Sequence, residues 1–155
     1  MNKKESLLII LLSLLFANCY SQPNNIQLTD NIQLTYKDIL ELRLQILASQ
    51  MTSGCYTIDD MGGIDDPVSI AINKQNKIVF KIEGDIDRQL LKEKQKEIMS
   101  EGFLFVNVGI YELIRMNFPK LNFDDSNDIM GFWYYKDAHD PCAKWVNNTF
   151  EWINP

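Results

Sequence analysis

The pattern of apolar and polar residues becomes regular near residue 35, where it predicts a helix. Thr35 followed by Asp38 resembles a capping box, in which each side chain bonds the backbone of the other residue. Apolar residues then recur at helical spacing until Ser53 and Gly54 end the pattern. A helix with so broad an apolar surface is expected inside the core. One apolar stripe comprises Ile39, Leu42 and Ile46, and the other comprises Leu40, Leu44, Leu47 and Met51.

A hairpin and a second helix are predicted next. Residues 68–72 and 78–82 alternate between apolar and polar side chains, which is typical of two strands with one buried face. Gly84 then begins a helix that extends to Ser100, and Gly102 is a suitable residue to end it. The inward side of this helix is expected to hold Ile86, Leu90, Leu91 and Ile98.

The C-terminal part of the chain predicts two more strands and two more helices. Residues 103–108 are an apolar run typical of a buried strand, and residues 109–118 suit a short helix. An aromatic strand follows at 130–135. The Asp-Pro pair at the start of 140–152 predicts a last helix. The element order α–β–β–α–β–α–β–α indicates an α+β domain, with a mostly antiparallel sheet of about four strands packed with helices.

The N-terminus is typical of a secretory signal peptide. Lys3 and Lys4 precede an apolar run of 11 residues at 7–17. A membrane-spanning helix needs roughly 20 apolar residues, so this run is too short to cross a bilayer. We therefore expect residues 1–21 to direct export to the periplasm or out of the cell.

Two processing routes fit the end of this segment. Cys19 and Ser21 are small residues that suit ordinary cleavage before Gln22. Alternatively, residues 16–19 resemble a bacterial lipobox, and the signal then ends before Cys19, which would carry a lipid. The lipid would be the protein's only attachment to a membrane.

A polar arm separates this signal from the folded domain. Residues 22–34 contain the sequence NIQLT at 25–29, and it is repeated at 31–35. Two copies are too few for a solenoid, so we expect a linker or an edge-strand arm. With 46% hydrophobic and 23% charged residues in the whole chain, residues 35–155 are expected to form a single small domain.

The charge of the chain restricts its partners. There are 15 basic and 21 acidic residues, which gives a formal net charge of −6, and removal of residues 1–21 makes it −7. An acidic surface repels phosphate groups, so nucleic acid and anionic membranes are not expected as partners. A protein partner, and in particular a basic one, is compatible with this charge.

Cysteine usage is consistent with export. If Cys19 leaves with the signal or carries a lipid, Cys55 and Cys142 remain, and in an exported domain they are expected to form a disulfide. The bridge would close a loop of 87 residues. Loss of chain entropy over such a loop stabilises a fold by about 4.5 kcal/mol. The alternative is two free thiols in a reducing compartment.

The sequence contains no recognisable catalytic motif. His139 is the only histidine, and a Cys–His hydrolase would need one of the two cysteines as a free thiolate beside it. One histidine and two cysteines also lack a zinc-site spacing. We therefore predict no catalytic residues, no cofactor and no transition-metal site, and we interpret His139 as a residue at the start of a helix.

Two aspartate-rich loops are candidate Ca²⁺ ligands. The loop at 124–135 begins like an EF-hand, but Ile129 and Tyr135 stand where that motif needs glycine and glutamate. Solvated turns are therefore the preferred interpretation, and a Ca²⁺ site is a weak alternative. The candidate ligands are Asp59, Asp60, Asp65, Asp66, Asp124 and Asp128.

The aromatic strand is the candidate binding platform. On a strand, Phe132 and Tyr134 point to one face, and Trp133 and Tyr135 point to the other. Either pair is a candidate exposed platform for a glycan or a protein. The alternative is that all four side chains are buried in the core.

These observations favour an exported, non-catalytic domain that binds another macromolecule. An inhibitor or immunity-type protein fits the size and acidity, and so does an accessory protein of the cell envelope. The alternative function is a small glycan- or ligand-binding module that uses the aromatic strand and the Asp-rich loops. A small hydrolase is the third hypothesis.

Overall fold

A computed structural model describes residues 26–27, 33–58, 63–64 and 66–153. The chain divides into two units between Gln33 and Leu34. The predicted signal peptide, Cys19 and most of the predicted arm lie outside the described residues. Two short strands, β1 (Ile26–Gln27) and β2 (Gln33–Leu34), pair as a two-stranded sheet. No helix in the described part of the chain is both long and apolar enough to span a bilayer.

Helix α1 (Tyr36–Thr52) confirms the first predicted element and its cap. The Asp38 backbone N–H donates to Thr35 Oγ1 at 3.2 Å, and the Thr35 backbone N–H donates to Asp38 Oδ2 at 2.8 Å. This reciprocal pair is the capping box expected from the sequence. The buried side of the helix comprises Ile39, Leu40, Leu44, Leu47, Ala48 and Met51.

The main sheet has five strands in the order β3-β4-β5-β6-β7. Strands β4 and β5 are parallel, and the other three pairings are antiparallel, so the sheet is mixed. The predicted hairpin is confirmed as β3 and β4. The strands are β3 (Val68–Ile72), β4 (Ile78–Gly84), β5 (Ile129–Tyr135), β6 (Ala143–Val146) and β7 (Thr149–Trp152).

Helix α2 (Lys92–Asn117) connects β4 to β5 and corrects three predictions. The run 103–108 is helical and not a strand, and 109–118 is mostly the end of the same helix. Gly102 lies inside the helix and does not end it. Within 103–108, the exposed Leu104 and the half-buried Val108 are four residues apart, and the three residues between them are all buried, which is helical and not strand periodicity.

The start of α2 also differs from the prediction. Residues 85–91 form a loop, so the helix begins later than Gly84. Leu90 and Leu91, expected inside, are 38% and 77% exposed, whereas Ile86 is buried as expected. A third, four-residue helix, α3 (Asp125–Asp128), precedes β5.

The predicted C-terminal helix is wrong, because 140–152 forms the β6–β7 hairpin. Asn147 and Asn148 connect the two strands, and their φ angles of 53° and 55° lie in the left-handed region. Two consecutive left-handed residues make the two-residue turn that joins twisted antiparallel strands. The domain is therefore α+β, with two long helices and one five-stranded sheet.

Both long helices cover the same face of the sheet. Phe103 of α2 contacts Phe80, Trp133 and Trp145, which all point to one side. Alternate residues along the strands are buried, and the residues between them are at least partly exposed. One face of the sheet thus forms the core with α1 and α2, and neither of these two helices lies on the opposite face.

Candidate functional site

The uncovered face of the sheet carries a partly exposed apolar patch at its centre. Phe132 of β5 lies between Lys81 of β4 and Lys144 of β6 in the strand register. One row further along, Met130 has apolar neighbours on both adjacent strands. We define the open face as Val79, Lys81, Met130, Phe132, Tyr134, Lys144 and Val146, of which all but the exposed Lys81 are half-buried.

The two lysines of the open face border its aromatic side chains. Lys81 Nζ lies 5.5 Å from the centre of the Tyr134 ring, a cation–π contact. Lys144 Nζ lies 2.7 Å from Glu151 Oε2 on β7. Lysine stems cover apolar surface while their ammonium groups stay in water, so the patch has a charged rim around an apolar centre.

The four predicted platform residues divide into three environments. Phe132 and Tyr134 lie together on the open face, as their alternation indicated. Trp133 is 1% exposed and belongs to the core. Tyr135, at the end of β5, is half-buried, and its hydroxyl donates to Gln95 Oε1 at 2.8 Å.

A cleft of about 350 Å³ lies beside Tyr135, near the ends of the parallel strands β4 and β5. The Arg88 guanidinium stacks 4.3 Å from the centre of the Tyr135 ring and also pairs with Asp137. Gln95 is 1% exposed, and its Nε2 donates to the Leu90 carbonyl at 2.7 Å. These contacts fix the orientation of Tyr135 and connect the loop before α2 to the end of β5.

The structure does not contain the predicted disulfide, because Cys55 and Cys142 are both free thiols. Cys55 is exposed just after α1. Cys142 is 7% exposed just before β6, and its Sγ lies 3.5 Å from the Trp133 carbonyl oxygen. The predicted disulfide joined the end of the first helix to the start of a helix at 140–152, but 140–152 forms the β6–β7 hairpin. Burial raises the pKa of the Cys142 thiol, which keeps it protonated at neutral pH.

The remaining predicted ligands do not form a described cation site. Asp59, Asp60 and Asp65 lie outside the described residues, and Asp66 is half-buried before β3. Asp128 Oδ2 accepts the backbone N–H of Asp124 at 2.9 Å, and Asp124 Oδ2 accepts Asn127 Nδ2 at 2.5 Å. Over the described ranges, no group of three or more His, Cys, Asp or Glu side chains is placed to hold a metal ion.

His139 is exposed in the segment between β5 and β6, where the sequence predicted the start of a helix. It therefore does not serve the helix-entry role expected of it. Several residues of the open face and the cleft were not predicted as site residues: Val79, Lys81, Met130, Lys144 and Val146 on the face, and Arg88 and Gln95 in the cleft. Because side chains alternate between the two faces of a strand, the apolar residues 78, 80 and 82 predict that Val79 and Lys81 point away from the core. The position of Lys144, in contrast, depends on the pairing of β6 with β5.

No family model, curated protein or solved structure matches this chain. The function has therefore to be inferred from the contacts, burial and charges of the chain itself.

Proposed function

We propose that this protein is an exported, non-catalytic domain that binds a protein partner through the open face. The observation that carries the proposal is the position of Phe132 at the centre of the face of the five-stranded sheet that α1 and α2 leave uncovered. Export is inferred from the N-terminal pattern, with either cleavage after residue 21 or lipid attachment at Cys19. An inhibitor, immunity-type protein or envelope accessory protein would use such a surface.

The composition of the open face supports a protein as the ligand. Aromatic residues and methionine are enriched at the centres of protein interfaces, whereas charged residues form the rim. Phe132 and Met130 supply the apolar centre, and Lys81 and Lys144 supply the rim. A large side chain at such a centre contributes most of the binding energy when the partner excludes water from it.

The charges of the open face refine the expected partner. Without the signal peptide the formal net charge is −7, which favours a basic protein at long range. Close to Phe132, however, the charges are mixed: Lys144 pairs with Glu151, and Lys81 is followed on the same side of β4 by the exposed Glu83, which lies beside Tyr134 in the strand register. We therefore expect a partner with an apolar centre and side chains of both charges around it, on a surface that is otherwise basic.

Affinity capture from a cell-envelope extract tests the proposal with matched variants. Phe132→Thr removes the aromatic ring but keeps a residue that favours strands. Leu104→Thr removes a similar exposed apolar side chain from α2, on the helical side of the molecule, and serves as the control. Melting temperatures of all three proteins establish that the fold is retained.

We expect one partner to be captured by the wild type and by Leu104→Thr. Phe132→Thr should bind that partner at least about thirtyfold more weakly, the equivalent of a ~2 kcal/mol hot spot. Equal capture by all three proteins would refute a role for the open face. A saturable change in tryptophan fluorescence on titration with sugars, without a captured protein, would favour the glycan-binding alternative instead.

A further inference from the structure

A second concave surface lies at the opposite end of β4 from the Tyr135 cleft. The start of α1, the tip of the β3–β4 hairpin and the segment before β5 border an open cavity of about 510 Å³. Its floor comprises Leu40 and Ile78, which are 7% and 3% exposed. Ile72, Leu121 and Phe123 are half-buried apolar side chains on its walls. Its volume lies within the roughly 300–1,000 Å³ that is typical of small-molecule sites.

The charged groups of this cavity are already engaged by its own walls. Its lining contains one cation and one anion, Lys37 and Asp128. Lys37 Nζ donates to Asn76 Oδ1 at 2.8 Å, and Asp128 Oδ2 accepts the backbone N–H of Asp124 at 2.9 Å. A charged ligand would therefore have to compete with these bonds for its partner, whereas an uncharged one would not.

Local contacts hold each of the three walls in place. In the hairpin tip, Asn73 Oδ1 accepts the backbone N–H groups of Gln75 and Lys77, both at 2.9 Å. Tyr36 at the start of α1 packs edge-on against Phe118, with ring centres 5.0 Å apart. The Asp124–Asp128 bond fixes the third wall. A cavity with walls that are fixed in advance loses little conformational entropy when a ligand enters.

We propose that this cavity binds an uncharged small molecule with an apolar body and a hydrogen-bonding end group. The apolar body would lie on Leu40 and Ile78, between Ile72 and Phe123. The amide side chains of Gln75 and Asn122, which are exposed residues of the lining, would bind the polar end group. This site is separate from the open face and does not depend on the function proposed for it.

Fluorescence titration of the full chain with N-phenyl-1-naphthylamine, a neutral environment-sensitive dye, tests the proposal. Leu121→Asp places a charge on the cavity wall, and Leu104→Asp makes the same change on the solvent side of α2. Asn122→Trp, a second variant at an exposed position, is designed to fill the mouth of the cavity without a buried charge. Anionic 1-anilinonaphthalene-8-sulfonate serves as the charged comparison dye.

We expect saturable binding of one neutral dye molecule per chain, unchanged in Leu104→Asp and weakened about tenfold or more in both cavity variants. The anionic dye should bind more weakly than the neutral one. Absence of saturable binding to the wild type would overturn the proposal, and so would equal affinity in the wild type and Asn122→Trp. Tighter binding of the anionic dye would contradict the uncharged class. Sedimentation that shows a dimer, lost in Leu121→Asp, would assign the cavity to a second copy instead.

Discussion

The indole of Trp133 occupies the space that a side chain on Gly102 would need. A Cβ atom on Gly102 would lie 2.7 Å from Trp133 Cζ3 and 3.2 Å from Cη2. Gly84 approaches a different part of the same indole, where a Cβ atom would overlap Cζ2 and lie 2.6 Å from Cε2. Helix α2 and strand β4 both meet this buried ring through a glycine, and the large side chain at the centre of the core depends on these two close approaches.

We predict that Gly102→Ala destabilises the protein, although alanine is the better helix former by about 1 kcal/mol. The added methyl group must displace a fully buried ring, and overpacking of this kind costs about 1–3 kcal/mol. Urea unfolding of the variant measures the change in free energy. Glu101→Ala, at the exposed neighbouring position, should stay within about 0.5 kcal/mol of the wild type. Equal or higher stability of Gly102→Ala would show that the ring can move away.

The same contact explains why the sequence alone misplaced the end of a helix. Glycine is common at the ends of helices, so the sequence predicts a helix end at Gly102. The sequence alone does not distinguish such a glycine from one inside a helix that leaves room for a tryptophan ring. The run 103–108 is short and apolar, which fits a buried strand or a buried helix equally well. Its neighbours in space, Phe80 and Trp133, are distant in sequence, so local patterning could not decide.

Local signals did predict the elements that depend on local contacts. The capping box of Thr35 and the alternation in β3 and β4 were sufficient to place α1 and the hairpin. At 140–152 an Asp-Pro pair imitated a helix start, while the strand depends on pairing with β5. The open face was therefore only partly predictable: alternation placed Phe132 and Tyr134 together, but it could not add the residues of β6.

The β6–β7 turn gives a direct test of the corrected C-terminal structure. Asn147 has a φ angle of 53°, a conformation that costs a residue with a Cβ atom about 1–2 kcal/mol and glycine almost nothing. Asparagine tolerates it better than most residues. We expect Asn147→Gly to be as stable as the wild type or more stable, and Asn147→Ala to be about 1 kcal/mol less stable than the glycine variant. If 140–152 were helical, the order of the two variants would reverse, because alanine favours helices.

The capping box makes the stability of α1 depend on pH. Hydrogen bonds from the side chain and backbone of Thr35 lower the pKa of Asp38 below its ordinary value. A carboxyl group with a lower pKa in the folded state contributes stability above its unfolded pKa of about 3.9, and this is lost as the pH falls through the folded pKa. Asp38→Asn should therefore be less stable than the wild type at about pH 7, and the difference should shrink at about pH 3. Urea unfolding at both pH values measures it, and a difference independent of pH would contradict an ionic contribution from Asp38.

The two cysteines of the domain should differ strongly in reactivity. Cys55 is exposed, whereas Cys142 is buried and its pKa is raised by desolvation. Because the thiolate is the reactive form, iodoacetamide should modify Cys55 in the folded protein and Cys142 only after addition of denaturant. Peptide mapping by mass spectrometry, with and without a reductant, identifies the modified residue. If both cysteines react only after reduction, the result would contradict the free thiols and support the disulfide expected from the sequence.

The most direct test of the open face is site-specific photo-cross-linking in the cells that produce the protein. The photoreactive residue p-benzoylphenylalanine is placed at Phe132 in one protein and at Leu104 in a second. We expect a discrete adduct with one protein from position 132 and no such adduct from position 104. An adduct from position 104 alone would show that the partner binds the helical side, and would contradict the assignment of the uncovered sheet face as the binding surface.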